Sequence, residues 1–255
     1  MHSHKFIFLC GLHRSGTSPL FRLLREHPEI SGFRDTGVPE EEGQHLQNVF
    51  LPASAYGGPG QFGFTDEAHL TEKSALISDE NRERLFAQWA RYWDVSKPYL
   101  MEKSPPNLIR TRFLQALFPE SYFVVLYRHP IAASFATRKW SSNSLELLFE
   151  HWVRCHALFE EDRPYLRRVH VLKYENLIRD TSGEITKICE FVGLPGHCCS
   201  PLNREGNSTY FAMWQDFMSG SANPEAGHIV SKYESEVRRH GYSLVDYWNK
   251  ELQSV

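Results

Sequence analysis

The residues from Gly11 to Ser18 form a pattern that suits the binding of an anion. They read Gly-Leu-His-Arg-Ser-Gly-Thr-Ser and follow a short apolar run, Phe6–Cys10. Glycine allows the backbone to approach a phosphate closely, and the free N–H groups at a helix start then bind it. Since a helical run follows the loop, this part of the chain predicts a strand, a loop and a helix that together bind a phosphate- or sulfate-bearing ligand.

The loop departs at one position from the P-loop of nucleoside triphosphatases, G-x-x-x-x-G-K-[ST]. Gly11, Gly16 and Ser18 fit that pattern, but Thr17 stands where the lysine that reaches the β- and γ-phosphates belongs. Arg14 supplies the positive charge inside the loop. A loop built for a triphosphate and magnesium is therefore disfavoured. The alternative interpretation is a strand-to-helix turn that binds no ligand.

A second candidate contact follows the most apolar run of the chain, Tyr122–Tyr127. Arg128 comes directly after this run, and Pro130 is typical of a helix that begins there. A nucleoside triphosphatase would have an aspartate at the end of such a strand, to hold magnesium. Arginine presents a planar fork that suits a phosphate monoester. We therefore predict a second phosphate contact here, with a surface salt bridge as the alternative.

Apolar runs that predict strands alternate along the chain with segments that predict helices. The strands are predicted at 6–10, 98–102, 122–127 and 169–172, and the helices at 16–26, 81–94, 107–117, 130–139, 144–160 and 182–192. Continuous apolar strands suit a parallel sheet that is covered on both faces. The pattern thus predicts an α/β fold, with a parallel sheet flanked by helices and a ligand at the carboxyl ends of the strands.

Composition and charge narrow the class of protein. Of the 255 residues, 41% are hydrophobic and 23% are charged, which is typical of a soluble globular protein. A net charge of −3 argues against a nucleic-acid partner. No stretch is long and apolar enough to predict a membrane span. The five cysteines match no zinc pattern, so we expect reduced thiols, no metal and a cytoplasmic location.

Two segments interrupt the alternation of strands and helices. Residues 36–78 are rich in glycine, proline and acidic residues, and so long an irregular insertion is usually functional. We expect this insertion to form the acceptor pocket or a lid. Residues 196–228 are likewise predicted to be loop-like.

The order of the two arginine-bearing motifs resembles that of the sulfotransferases that use 3′-phosphoadenosine 5′-phosphosulfate (PAPS). In that family the first motif binds the 5′-phosphosulfate and the second binds the 3′-phosphate. The resemblance implies that Arg128 holds the 3′-phosphate. The family usually has a serine eight residues later, where this chain has Ala136, so Ser134 is our first choice, with Thr137 close by. The residues implied to hold the 5′ end are Arg14, Ser15, Gly16, Thr17 and Ser18.

Two further segments resemble the same family. Met101–Asn107 is similar to the E-K-[ST]-P-x-N segment of carbohydrate, tyrosyl-protein and several bacterial sulfotransferases, which implies that Lys103 lies against the sulfuryl group and its leaving oxygen. Leu172–Leu177 resembles the Y-E-x-L segment, which implies that Tyr174 lies near the nucleotide. Together the motifs imply a P-loop-like fold and a single sulfotransferase domain over residues 1–255.

The implied reaction is in-line transfer of the sulfuryl group from PAPS to a hydroxyl or amine, with 3′-phosphoadenosine 5′-phosphate (PAP) as product and no metal. The sequence leaves the acceptor open among a small molecule, a sugar and a peptide. Two alternatives stay open: a P-loop kinase or NTPase-like phosphoryl transferase, and a nucleotide-binding module without catalysis.

The general base has three candidates, all at or in the insertion. The tyrosyl-protein branch has a glutamate after its first helix, and the alignment places Asp35 there. Small-molecule sulfotransferases use a histidine, for which His45 is the best candidate, and Glu42 is the third. Each is also consistent with a solvated loop residue. The acidic run 40–42 would favour a cationic or polyhydroxyl acceptor.

Overall fold

The computed structural model describes residues 4–197, 199–202, 206–219 and 223–248. Within these residues the strands form one parallel sheet in the order β2-β3-β1-β4-β5. Their bounds are β1 Lys5–Cys10, β2 Ile30–Gly32, β3 Tyr99–Lys103, β4 Ser121–Tyr127 and β5 Val169–Lys173. The four predicted strands are confirmed to within two residues at either end.

Strand β1 is central and pairs in parallel with β3 on one side and β4 on the other. Leu9 pairs with Lys103 on one side and with Val124 on the other. Every residue of β3 and β4 is buried, as expected for a parallel sheet that is covered on both faces. The carboxyl ends of β3, β1 and β4 therefore meet at one edge of the sheet.

Helices flank the sheet, so the predicted α/β class is confirmed. Several begin at a side-chain cap; Ser144, for example, accepts a hydrogen bond from the backbone N–H of Leu147. Their bounds are α1 Thr17–Leu24, α2 Asp79–Trp89, α3 Thr111–Leu117, α4 Pro130–Arg138, α5 Leu145–Asp162, α6 Tyr174–Arg179, α7 Thr181–Val192, α8 Ser208–Ser219 and α9 Pro224–Arg239.

Two details of the predicted elements were wrong. The region 196–228 is not loop throughout, because it contains α8 and the start of α9. The helix predicted at 107–117 is divided: a 3-10 turn, Pro105–Ile109, precedes α3. Proline lacks the N–H that an α-helical ladder needs, which favours the tighter turn. Of the cysteines, Cys198 lies outside the described residues, and Cys10, Cys155 and Cys189 are buried thiols that form no disulfide.

The insertion, residues 36–78, consists of turns and short 3-10 helices, as its composition predicted. It is nevertheless packed onto the rest of the molecule, since Phe50, Phe62 and Ala68 belong to the buried core. The indole N–H of Trp89 in α2 donates to the carbonyl of Gly43 at 2.9 Å. The insertion is therefore held in place against the sheet edge and its helices.

Among the described helices, none combines the length and the apolar character that crossing a membrane requires.

Candidate active site

A cleft of about 210 Å³ opens at the carboxyl ends of the strands. The loop after β1 forms one wall, and residues that come after β4 and β5 complete it. Of the residues predicted from the sequence, those that line the cleft are Arg14, Gly16, Thr17, Ser18, Glu42, Arg128 and Tyr174. The motifs are far apart in the chain, but the parallel topology brings them to one site.

The loop after β1 needs glycine at two positions. Gly16 has a φ of 98°, and a Cβ built there would lie 2.5 Å from the ring of Tyr174. Gly11 has a φ of 151°, and a Cβ there would lie 2.6 Å from the carbonyl oxygen of Leu126. The loop is thus packed tightly against the end of β4 and against the first residue after β5, and only glycine fits at these points.

Helix α1 points its N-terminus at the cleft. Gly16 occupies the N-cap position and provides no side-chain cap, so the backbone N–H groups of Thr17 and Ser18 are available to a ligand. Ser15 is different from its neighbours. Its N–H donates to the carbonyl of Leu12 at 3.0 Å, and its hydroxyl is buried without a partner. The structure therefore places the side chain of Ser15 behind the loop and not in the cleft.

Lys103, the last residue of β3, is fully buried beside the loop. Its ammonium donates to the carbonyl oxygen of Glu40 at 2.7 Å and lies 3.3 Å from the hydroxyl of Ser18. A carboxylate oxygen of Glu42 is 3.4 Å away. Burial lowers the pKa of Lys103, while Glu42 and Glu40 oppose that shift. The ammonium is therefore positioned beside the start of α1 and the acidic turn of the insertion, although Lys103 does not line the cleft itself.

Arg128 follows β4 and connects three parts of the site. Its guanidinium donates to the carbonyl of Arg14 at 2.7 Å, to the side chain of Asn207 at 3.0 Å and to the carbonyl of Gly206 at 3.3 Å. The ring of Tyr174 lies 4.3 Å from it. Burial lowers the pKa of Arg128. All three hydrogen-bond acceptors are neutral, so the positive charge is available to a bound anion.

A buried carboxylate, Glu175, holds this region together. It accepts hydrogen bonds from the backbone N–H of His129 at 3.0 Å, from Asn207 at 2.5 Å and from the hydroxyl of Tyr242 at 3.0 Å. Since Asn207 also contacts Arg128, Glu175 fixes the guanidinium indirectly. The Y-E-x-L resemblance indicated Tyr174, whereas the structural role of its neighbour could not be read from the sequence.

The three candidate bases occupy different environments. Glu42 is buried and lines the cleft; its second carboxylate oxygen accepts from the side chain of Gln44 at 2.5 Å. The imidazole of His45 lies 3.8 Å from that same carboxylate but does not line the cleft. Asp35 is exposed outside the cleft, where its backbone N–H donates to Glu41. Of the three, Glu42 is thus the one that faces the cleft.

Two hydroxyls of α4 are candidates for contact with the 3′-phosphate. Ser134 is buried, its hydroxyl has no hydrogen-bond partner, and it does not line the main cleft. Thr137, one turn later, does line the cleft. The sequence could not separate the two, because both lie in the same helix and only packing decides which face meets the site.

Other lining residues were not among the predicted site residues. Trp140 is 69% exposed, and its ring lies 4.9 Å from the guanidinium of Arg14. Burial lowers the pKa of His13 to about 3, so its imidazole is neutral. His13 lies in the first motif and Arg22 lies four residues after it, so the motif could have indicated both residues. Trp140 follows α4 and no motif marks it.

In the ranges that the structure describes, no three or more His, Cys, Asp or Glu side chains are grouped so that they could hold a metal ion.

Comparison with solved structures supports the fold. A sulfotransferase from Alicyclobacillus acidocaldarius aligns with a TM-score of 0.51 and 15% identity, over 92% of this chain and 96% of that one. A sulfotransferase from Mycobacterium tuberculosis gives 0.52 and 15%, over 98% and 76%. One from Mycobacterium avium gives 0.54 and 13%, over 92% and 77%. At these identities the likeness shows the architecture alone.

The sequence itself identifies the family. A search of curated proteins gave no match. The sequence model of the sulfotransferase family, however, matches residues 7–197, which include the strand-end motifs of the cleft. The chain belongs to the sulfotransferase family.

Proposed function

We propose that this protein transfers the sulfuryl group of PAPS to a hydroxyl or amine acceptor. The observation that carries the proposal is the environment of Arg128. A buried guanidinium whose hydrogen-bond acceptors are all neutral keeps its charge for a ligand, and it lies one strand away from the anion-binding loop. Two separated anion sites fit a nucleotide that is phosphorylated at both the 5′ and 3′ positions.

The residues of the cleft divide naturally between the two ends of such a donor. Arg14, Gly16, Thr17 and Ser18 would hold the 5′ group, with Ser15 supporting the loop from behind. Arg128 would hold the 3′-phosphate. Thr137 is the better supported of the two hydroxyls there, since Ser134 does not line the cleft.

When bound, the donor supplies an activated sulfuryl group on its 5′-phosphate. The acceptor oxygen or nitrogen forms a bond to sulfur, the bridging sulfur–oxygen bond breaks, and its electron pair leaves on the 5′-phosphate. Lys103, Arg14 and the amides of the loop would stabilise that negative charge. One such preorganised donor is typically worth about 3 kcal/mol in the transition state.

Glu42 would take the proton from the acceptor. It is the candidate base that lines the cleft, and its carboxylate is oriented by Gln44 and Lys103. His45 would act through Glu42, since its imidazole lies 3.8 Å from that carboxylate. Asp35 is not supported as the base, because it lies outside the cleft.

The insertion would form the acceptor side of the site. Glu40, Glu42 and Pro59 of the insertion all line the cleft. Two carboxylates at this wall favour a cationic or polyhydroxyl acceptor over an anionic one.

The test combines binding with turnover. PAP should raise the melting temperature of the purified protein, whereas ATP should have little effect, since Thr17 replaces the P-loop lysine. Radiolabelled PAPS should then transfer its label to one member of a panel of amino alcohols, amino sugars, neutral sugars and phenols. Stabilisation by ATP alone would favour a phosphoryl transferase, and PAP binding without transfer to any acceptor would favour a non-catalytic module.

A further inference from the structure

The insertion places a carboxylate of the protein itself at the anion-binding loop. Glu40 lines the cleft together with Ser18 and Arg14. A carboxylate oxygen of Glu40 lies 3.6 Å from the guanidinium of Arg22, in the last turn of α1. The backbone carbonyl of Glu40 also accepts from Lys103 at 2.7 Å. This acidic residue therefore contacts the groups that surround the 5′ end of the cleft.

The electrostatic environment shows what the carboxylate does there. A hydrogen bond from the hydroxyl of Ser18, and then the charges of Lys103, Arg22 and Arg14, hold the pKa of Glu40 below its usual range. The same groups would meet an incoming phosphosulfate. Glu40 is therefore an anion that already neutralises part of the positive charge around the anion-binding loop.

The backbone presents this side chain in a strained turn. Glu40 has a φ of 52° and Glu41 a φ of 53°, in the left-handed region that only glycine adopts without a penalty. This conformation is unfavourable for a glutamate, so other contacts must hold the turn. Glu41 anchors the turn through Arg25, at 2.6 Å, and through the backbone N–H of Asp35, at 3.1 Å. The contacts of Glu41 hold the turn while Glu40 faces the cleft.

We propose that Glu40 is a negative determinant of donor affinity, an internal anion that the 5′ group of the nucleotide displaces on binding. The inference rests on the proposed function, because it takes PAPS and PAP as the ligands. Two anions that share Ser18, Lys103 and Arg14 repel each other. Displacement of Glu40 therefore weakens the binding of the 5′ group, and its return favours release of PAP after transfer.

The test is a calorimetric titration with PAP. Glu40→Gln removes the charge and keeps a hydrogen-bond acceptor for Ser18, so the dissociation constant of the variant for PAP should fall by about tenfold, as expected when one like-charge repulsion is lost. Adenosine 3′-monophosphate, which lacks the 5′ group, should bind the wild type and the variant equally. Glu26→Gln is the control for charge alone: Glu26 pairs with Arg34 at 3.6 Å, does not line the cleft, and should leave the affinity for PAP unchanged.

The outcomes separate the two proposals. If the wild type does not bind PAP, the proposed function fails. If the wild type binds PAP and Glu40→Gln binds it equally or more weakly, the inference about Glu40 is wrong. Should the melting temperature show that Glu40→Gln is unfolded, Glu40→Gly decides, since glycine accepts the left-handed backbone and also removes the charge. That variant must bind PAP more tightly than the wild type, or the inference is overturned.

Discussion

The two buried cations at the carboxyl edge of the sheet, Lys103 and Arg128, have different partners. Lys103 lies 3.4 Å from the carboxylate of Glu42 and under the acidic turn that carries Glu40. Arg128 has carbonyl and amide oxygens and the ring of Tyr174 around it. Burial of a charge is unfavourable in both cases, but Lys103 is paired directly with the carboxylate of Glu42, whereas the hydrogen bonds of Arg128 go to neutral oxygens and Glu175 acts on it only through its charge. The difference supports the proposed division of roles, in which Arg128 would bind the donor and Lys103, beside the proposed base Glu42, would serve the reaction.

The largest effect is expected when the charge of Glu42, the carboxylate beside Lys103, is removed. Glu42→Gln should lower turnover by roughly 10²–10⁴-fold, the contribution of a general base, and leave the affinity for PAP within a few-fold. The measurement is steady-state transfer from labelled PAPS across pH, where the variant should lose the ascending limb of the profile. Asp35→Asn is the matched control and should retain near wild-type turnover. The reverse result would assign the base to Asp35.

The second largest effect is expected when the ammonium of Lys103 is removed. Lys103→Ala should lower turnover by about 10²–10³-fold, since one stabilising donor to the leaving oxygen is lost. Its affinity for PAP, measured by calorimetry, should change little, because the loop amides and Arg128 are intact. A variant that keeps more than a tenth of wild-type turnover would contradict the role assigned to Lys103.

The proposed role of Arg128 is tested by measurements of ligand binding alone. Arg128→Ala should weaken the binding of PAP by about 10- to 100-fold, as expected for a charge-assisted contact worth roughly 1.5–3 kcal/mol. Adenosine 5′-phosphosulfate, which has no 3′-phosphate, should bind the variant and the wild type alike. Equal weakening of the two ligands would mean that Arg128 supports the fold of the site and does not read the 3′ position.

The last effect concerns the free energy of unfolding and its dependence on pH, and it leaves the affinity for PAP unchanged. Burial raises the pKa of Glu102, the neighbour of Lys103 in β3, to about 7, although Ser104 and Asn107 donate to its carboxylate. The folded state thus holds a proton that the unfolded state releases near pH 4.5. The stability gained from protonated Glu102 is fully present below that pH and is lost as pH rises to 7, by on the order of 3 kcal/mol. Urea unfolding of the wild type should show this loss between about pH 4.5 and 7, and Glu102→Gln should not; parallel curves would contradict it.

Much of the fold was predictable because β1 and β4 are apolar almost without interruption. The run at 122–127 differs from β4 by one residue. β2 was missed, since three residues that include Gly32 give no period. Helix α8 was missed because Gly, Ser and Pro dominate the flanking sequence, although Phe211 and Trp214 are buried as an apolar face requires.

The candidate site was predictable where a residue is tied to a strand end and not where packing decides. The structure places Lys103, Arg128 and Tyr174 at one edge, as parallel topology requires. The choice among the candidate bases, or between Ser134 and Thr137, depends on which way an irregular turn or a helix face points. Glu40 could be seen only as part of an acidic run, because its contact with the loop joins segments that share no pattern.

The close fit of Gly16 under the ring of Tyr174 has a consequence for how this protein can diverge. A Cβ at position 16 would lie 2.5 Å from that ring, and the φ of 98° would strain any side chain there even if position 174 were smaller. The constraint therefore runs one way, because a smaller residue at position 174 would relieve the contact and leave the backbone strain in place. Glycine at position 16 should be retained across relatives, whereas position 174, 158 residues later in the chain, should vary more freely.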